Sequence, residues 1–181
     1  MIVKANDLKE YKLGEILMSE DEIRRRAAKI GGEISRSLDG EPVLIVCILK
    51  GAVLWMSDLI KHITAPVTID FMAVSSYGAA TKSSGVVKIN KDIDIAITGL
   101  NVIIVEDIVD SGVTLNYIRE ILQARGPKSL KICALLDKPA RRRVDINIDY
   151  VGFTVDDLFI VGYGLDVNQQ FRNLPYITSI E

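Results

Sequence analysis

Val102-Ile103-Ile104-Val105-Glu106-Asp107-Ile108-Val109-Asp110-Ser111-Gly112-Val113-Thr114-Leu115 decides the fold. Val102 to Val105 is an unbroken β-branched run, the pattern of a strand buried on both faces of a sheet. Glu106 and Asp107 follow at its carboxyl end, and the turn Asp110 to Thr114 leads into Leu115, Ile118, Ile121 and Leu122 at helical spacing. A strand, a small-residue loop and a helix start together place backbone N–H groups and a positive dipole end around an anion. Carboxylates repel phosphate, so three beside such a loop must serve sugar hydroxyls, a divalent cation or a proton. The combination suits a phosphorylated sugar handled with Mg²⁺. A bare Asp-Ser-Gly would be an ordinary strand–helix turn. The acidic pair before it, costly to bury without a cation or donors, carries the functional reading.

Outward from this segment the same alternation repeats. Ser19 with Glu22 is a capping box, and Ile23, Ala27, Ile30 and Ile34 keep one apolar face, so a helix is expected over about 19–37. Val43 to Leu49 reads as a second buried strand, followed by Lys50-Gly51, an apolar helix near 52–62, and a third strand at about 67–74 after Pro66. Ser75 to Gly85, poor in large apolar residues apart from Tyr77, reads as a mobile loop of the kind that forms functional lids. Val86 to Ile97 suggests a hairpin or edge strand, Arg125-Gly126-Pro127 stops a helix, and Leu130 to Leu136 is another buried strand. Tyr150 to Val155, Leu158 to Gly162 and Tyr176 to Ile180 are strand-like and turn-rich. The pattern predicts an α/β fold, a mostly parallel sheet flanked by helices, with ligands outside the carboxyl ends of the strands. Lys50, the Glu106–Asp107 pair and Lys138 each follow a strand, which points to one shared cleft.

The totals bound the function. At 181 residues one domain is expected, and the chain can bury a core without disulfides or structural metal. Cys47 and Cys133 sit inside apolar runs and read as reduced buried fillers, which points to a cytoplasmic setting. Met1 to Glu10 has no apolar stretch after its charges, so no secretory leader is expected, and no apolar run approaches a membrane span of about 18 residues. A net charge of −2 argues against nucleic acid as a partner. The apolar helix with Trp55 and Met56 suggests a buried or subunit-facing surface, hence a homo-oligomer, dimer or tetramer. His62, the one histidine, reads as a cap or surface residue, and Arg141 to Arg143 as a salt-bridged or ligand-proximal cluster.

The opening segment resembles the phosphoribosyl-pyrophosphate loop of type I phosphoribosyltransferases. Five further blocks occur in family order over nearly the whole chain and are similar to the hypoxanthine-guanine branch. They are Leu49-Lys50-Gly51, Ser76-Tyr77-Gly78, Leu136-Asp137-Lys138-Pro139-Ala140-Arg141-Arg142, Phe159 through Asp166, and Phe171-Arg172. The resemblance implies the type I phosphoribosyltransferase fold in a single domain: a core over about 38–150, a small hood from the N-terminal segment and about 151–181, and a lid at about 75–90. It implies purine salvage, with 5-phosphoribosyl 1-pyrophosphate and a 6-oxopurine as substrates and Mg²⁺ as cofactor.

Residue by residue, the resemblance implies that Asp110, Ser111, Gly112, Val113 and Thr114 wrap the 5′-phosphate. Glu106 and Asp107 would face the ribose hydroxyls and their metal. Asp110 would exchange a proton with an imidazole-ring nitrogen of the purine; neighbouring acids raise its affinity for that proton and Mg²⁺ lowers it, which the sequence leaves open. Lys50, Gly51 and Arg172 would contact pyrophosphate, with a cis peptide expected between Leu49 and Lys50. Lys138, having three donors and no acceptor, would select a 6-oxo over a 6-amino group. Phe159 would stack on the purine, Ile160 and Asp166 would read its remaining edge, and Asp166 would also be a ligand of a second metal. Ser76 and Tyr77 would close over the reaction. Val113 and Val167 stand where the family often carries a longer and an aromatic side chain, and neither removes a functional group. Two rivals remain: an RNA-binding regulator on the same fold, which needs a broad basic face, and a signalling receiver domain. The latter needs an acidic pair where Lys50 stands.

Overall fold

The computed structural model describes residues 11–76 and 87–181; Tyr77 and most of the expected lid lie outside them. In chain order the elements are β1 (Leu13–Met18), α1 (Glu20–Leu38), β2 (Val43–Leu49), α2 (Val53–Ile60), β3 (Val67–Ser76) and β4 (Val87–Lys91). There follow β5 (Asn101–Val109), α3 (Val113–Gln123), β6 (Ser129–Asp137), a 3₁₀ turn at Pro139–Arg141, β7 (Tyr150–Thr154), β8 (Ile160–Val161) and β9 (Ile177–Ile180).

Six strands form the central sheet in the order β4-β3-β2-β5-β6-β7. β2, β3, β5, β6 and β7 run parallel, and β4 is the antiparallel edge. The unbroken apolar runs are explained by burial on both faces. Val43, Ile45 and Cys47 of β2 pack with α1 and α2, whereas Leu44, Val46 and Ile48 pack in a second core with α3. β5 and β6 divide in the same way: Ile103, Val105, Cys133 and Leu135 face one core, and Ile104, Val102, Ile132 and Ala134 the other. Burial pushes the Cys47 and Cys133 thiols up to about 12, so both stay neutral fillers.

Three sequence expectations shift, and one resolves between its alternatives. β5 runs to Val109, so Glu106 and Asp107 lie inside the strand rather than after it. Trp55 and Met56 are buried in the chain's own core, the first of the two alternatives expected of that helix. β7 pairs with β6, which places 151–154 in the central sheet rather than in the hood; the small antiparallel sheet is β1-β9-β8. Strand structure within 86–97 stops at Lys91. Beyond it the chain is gathered by the buried Asp70 carboxylate, which accepts the N–H groups of Asp94 at 2.7 Å and Ile95 at 3.1 Å.

β2 is followed by a crossover to β3 on one side, and β5 by a crossover to β6 on the other. The strand order therefore reverses between β2 and β5, the place where an open parallel sheet leaves a crevice at its carboxyl ends. Lys50-Gly51 and the Asp110 loop are the two turns that flank it.

Candidate active site

The phosphate-type loop is built by leaving a helix end uncapped. α1 satisfies its own first turn: Glu22 N–H donates to Ser19 Oγ, Ser19 N–H donates to Glu22 at 2.9 Å, and Glu20, Asp21 and Glu22 complement the dipole. α3 has none of this. Its N-cap is Gly112, with no capping side chain and no acidic residue in the first turn. Apart from the Val113 N–H, which donates to Ser111 Oγ at 3.4 Å, the first N–H groups and the positive end of α3 are available to an external anion, with the Thr114 hydroxyl beside them. Gly112 is required twice over. Its φ is +78°, and a Cβ there would stand 3.1–3.2 Å from Ile146, Arg142 and Val144. The loop is fastened from behind, because Ser111 O accepts the N–H of Arg143 at 2.9 Å and of Val144 at 3.3 Å.

A cavity of about 210 Å³ is lined by Glu106, Asp107, Asp110, Ser111, Gly112 and Thr114. Burial and the neighbouring Asp107 push the Glu106 carboxyl well above its ordinary range, and burial raises Asp107 as well. Side by side, the two carboxyls therefore resist ionising together. Asp110 Oδ1 is buried with no hydrogen-bond partner, and its Oδ2 lies 3.9 Å from Arg141 Nη1.

The second turn meets the first directly. The Leu49–Lys50 peptide is cis, as the resemblance implies. Gly51 packs so tightly on Asp107 that a Cβ would fall 1.4 Å from its Oδ2. Lys50 is exposed, with Nζ 3.5 Å from Gln169 Oε1. Asp166 accepts the N–H of Gln169 at 2.7 Å and pairs with Arg172 at 2.5 Å. Among the described residues no three His, Cys, Asp or Glu side chains cluster as a metal site.

Lys138 leaves the end of β6 with its N–H donating to Val109 O at 3.0 Å and its side chain buried. Its Nζ donates to Leu158 O at 2.6 Å and lies 3.7 Å from Asp157 Oδ1. Arg141 Nε is 2.5 Å from the same Asp157 oxygen, so a line of alternating charges runs from Lys138 through Asp157 and Arg141 to Asp110. Next to this line Phe159 is 58% exposed, an open aromatic face, while Ile160 is buried. Ser76 ends β3, its backbone paired with Val87.

Sequence reasoning assigned nothing to Asp157, Gln169 or Leu158. The adjacent Asp156 and Asp157 were the available signal for the first. Gln169 lies in a stretch, 163–171, that holds four of the five non-glycine positive-φ residues among the described residues: Tyr163, Asn168, Gln169 and Phe171. Such strain concentrates where a site constrains its backbone.

Comparisons with known proteins agree with this geometry. The family model described as the phosphoribosyl transferase domain matches residues 13–168. The chain is 48% identical over 168 residues to the hypoxanthine-guanine phosphoribosyltransferase of Bacillus subtilis, covering 93% of each. It is 46% identical to the hypoxanthine phosphoribosyltransferase of Salmonella typhimurium, covering 92% of this chain and 94% of that protein. Among solved structures, a hypoxanthine-guanine phosphoribosyltransferase of Bacillus anthracis superposes with a TM-score of 0.90 at 46% identity, covering 94% of this chain and 100% of that one.

Proposed function

This chain belongs to the phosphoribosyl transferase domain family, and on that premise we propose that it is a purine-salvage enzyme. It transfers the 5-phosphoribosyl group from 5-phosphoribosyl 1-pyrophosphate to N9 of hypoxanthine or guanine. The bond from C1′ to the pyrophosphate oxygen breaks, the N9–C1′ bond forms, and the purine gives up one ring proton. The observation that carries this reading is the α3 start without a side-chain cap, beside the adjacent Glu106 and Asp107 carboxyls near the end of β5 and lining the same cavity.

Each residue has a role in this reaction. The N–H groups of the Ser111 to Thr114 loop and the Ser111 and Thr114 hydroxyls hold the 5′-phosphate. Asp110, with one oxygen unpaired, takes the proton from an imidazole-ring nitrogen of the base; positioned proton transfer contributes about 10²–10⁴-fold in rate. Lys50, Gly51 and Arg172 bind pyrophosphate as it leaves. Lys138 donates to the 6-oxo group, Phe159 stacks on the ring, and backbone groups at Ile160 and Asp166 read its far edge. Ser76 and Tyr77 close the site against water, which would capture an oxocarbenium-like ribosyl centre.

Magnesium fits the donor set at Glu106 and Asp107. Both are hard oxygen donors, the pair is strained by burial and mutual repulsion, and two carboxylates leave the remaining positions to water and substrate oxygens. Bound there, the ion would neutralise the pair and the departing pyrophosphate. Asp166, which pairs with Arg172, would be the carboxylate to hold a second ion.

No helix among the described residues is long and apolar enough to cross a membrane. The two neutral, buried thiols suit a cytoplasmic setting, and Leu54, 38% exposed on α2, is a candidate contact of a dimer or tetramer. The RNA-binding alternative lacks the basic surface it needs, given the net charge of −2. The decisive experiment is steady-state nucleotide formation from 5-phosphoribosyl 1-pyrophosphate with hypoxanthine, guanine and adenine, with Mg²⁺ or with chelator. Turnover of the oxopurines that vanishes with chelator is expected; no nucleotide from either oxopurine would refute the reading.

A further inference from the structure

Gly162, Tyr163 and Gly164 take successive φ angles of 99°, 48° and 98°. The two glycines are required by close backbone approach: a Cβ on Gly162 would lie 2.1 Å from Tyr176 O, and one on Gly164 2.0 Å from Gly51 O. Tyr163 has a side chain in a region that disfavours one. It is held there by the rest of the fold. Its ring is 4% exposed, its N–H donates to Leu174 O at 2.9 Å, and its hydroxyl donates to the Asp58 carboxylate on α2. Asp58 also pairs with Lys61 at 2.7 Å, so it stays charged and anchored on the helix.

What this loop touches makes the arrangement informative. Gly164 is seated on the carbonyl of Gly51, in the turn read as the pyrophosphate contact. Its N–H donates to Arg172 O at 3.0 Å, and its own carbonyl accepts from Arg172 Nη1 at 2.5 Å. One short segment thereby carries both pyrophosphate groups, the Lys50-Gly51 turn and Arg172, and it is tied to α2 through a single phenol.

We propose that Tyr163 and Asp58 form a positioning pair that sets the pyrophosphate contacts and leaves purine recognition alone. α2 fixes Tyr163, Tyr163 fixes the backbone of Gly164, and Gly164 sets the height of Gly51 and the direction of Arg172. Neither residue touches substrate. The inference rests on the assignment of Lys50, Gly51 and Arg172 to pyrophosphate.

The test uses Tyr163→Phe and Asp58→Ala, separately and combined, in the full chain. Tyr163→Phe retains the ring and leaves Asp58 paired with Lys61. Calorimetric binding of pyrophosphate with Mg²⁺ and steady-state kinetics are measured together. Each single variant is expected to weaken pyrophosphate and to raise KM for 5-phosphoribosyl 1-pyrophosphate about tenfold, the scale of one hydrogen bond to a charged group. KM for hypoxanthine stays within about twofold, and the double variant is no worse than the weaker single one, as for one shared interaction. A merely structural tie would lower the melting temperature and the active fraction while leaving both KM values alone. Unchanged pyrophosphate affinity in both variants, or an equal rise in both KM values, overturns the proposal. Hydrogen exchange on the unmodified chain gives a second measurement should a variant fail to fold. Pyrophosphate with Mg²⁺ should protect the peptide around 54–60 together with 162–165, and protection of the latter alone refutes the coupling. A wild-type chain that makes no nucleotide at all refutes the phosphoribosyl reading, whereas the outcomes above refute only the pair.

Discussion

Replacing Lys138 by methionine separates recognition from stability. The side chain is only 7% exposed, and its Nζ donates to Leu158 O at 2.6 Å. Methionine keeps the apolar stem and removes the ammonium. Asp157 is not stranded by this change, because Arg141 Nε remains 2.5 Å from it. Leu158 is 42% exposed, so water can replace the lost donor at its carbonyl. Folding should therefore lose no more than about 1.5 kcal/mol, the low end for a hydrogen bond to a charged group. On the proposed reading the same ammonium donates to the purine 6-oxo group. Losing a charged donor there costs about 1.5–3 kcal/mol, or roughly ten- to 150-fold in kcat/KM. The assay is kcat/KM for hypoxanthine, guanine and adenine beside a thermal melt. Both oxopurines should fall by that factor, the preference over adenine should shrink with them, and the melt should move little. A hypoxanthine kcat/KM within about twofold of wild type would refute the reasoning. So would a melt that collapses in parallel with activity, since Lys138 would then be holding the fold.

Other expectations follow from the same geometry. In chelator, the stability of the free chain should fall as pH rises above the ordinary glutamate value of 4.5. The folded Glu106–Asp107 pair keeps a proton that the unfolded chain has already lost, so the contribution is full below that value and disappears as pH climbs toward the raised native one. Glu106→Gln should flatten this decline in urea titrations taken at several pH values, and an identical slope would exclude the pair as its source. Gly112→Ala puts a side chain at φ +78° and 3.1–3.2 Å from three neighbours; it should lower stability by about 1–2 kcal/mol and weaken nucleotide binding, and an unshifted urea midpoint would contradict it. Asp70→Ala removes the acceptor of the Phe71, Asp94 and Ile95 N–H groups and should cost about 2 kcal/mol. Burial opposes ionisation of Asp70, but these N–H groups and Lys91 outweigh it and hold the carboxyl below its ordinary 3.8. Its contribution is thus present above that value and lost as pH falls through the lowered one. The acid limb of the variant's stability profile should be shallower than that of the wild type.

The strands, the helices and the turn from Asp110 to Thr114 were legible because their causes are local. Two-sided burial writes itself as the runs Val43–Leu49 and Val102–Val105, and the capping box Ser19–Glu22 marks a helix start within four residues. The uncapped turn at Gly112 is equally a matter of neighbouring residues. Much of the site was readable for the same reason, since Glu106 to Thr114 is one continuous segment. Boundaries slipped where a partner strand decided them: β5 continues through the acidic pair because β6 pairs with it as far as Val109↔Asp137.

The amino-acid order alone thus determined an α/β sheet with a small-residue turn leading into a helix and an adjacent acidic pair just before that turn. Only the tertiary structure decided what those groups meet: Gly51 against Asp107, Arg172 on Asp166, Lys138 on Leu158 O, and Tyr163 on Asp58. Local propensity and periodicity act over a few residues, whereas Tyr163 and Asp58 are separated by 105 positions and are brought together by packing alone. No pattern within either segment encodes the other's distance, so the pairings that tune the site exist only once the core has closed.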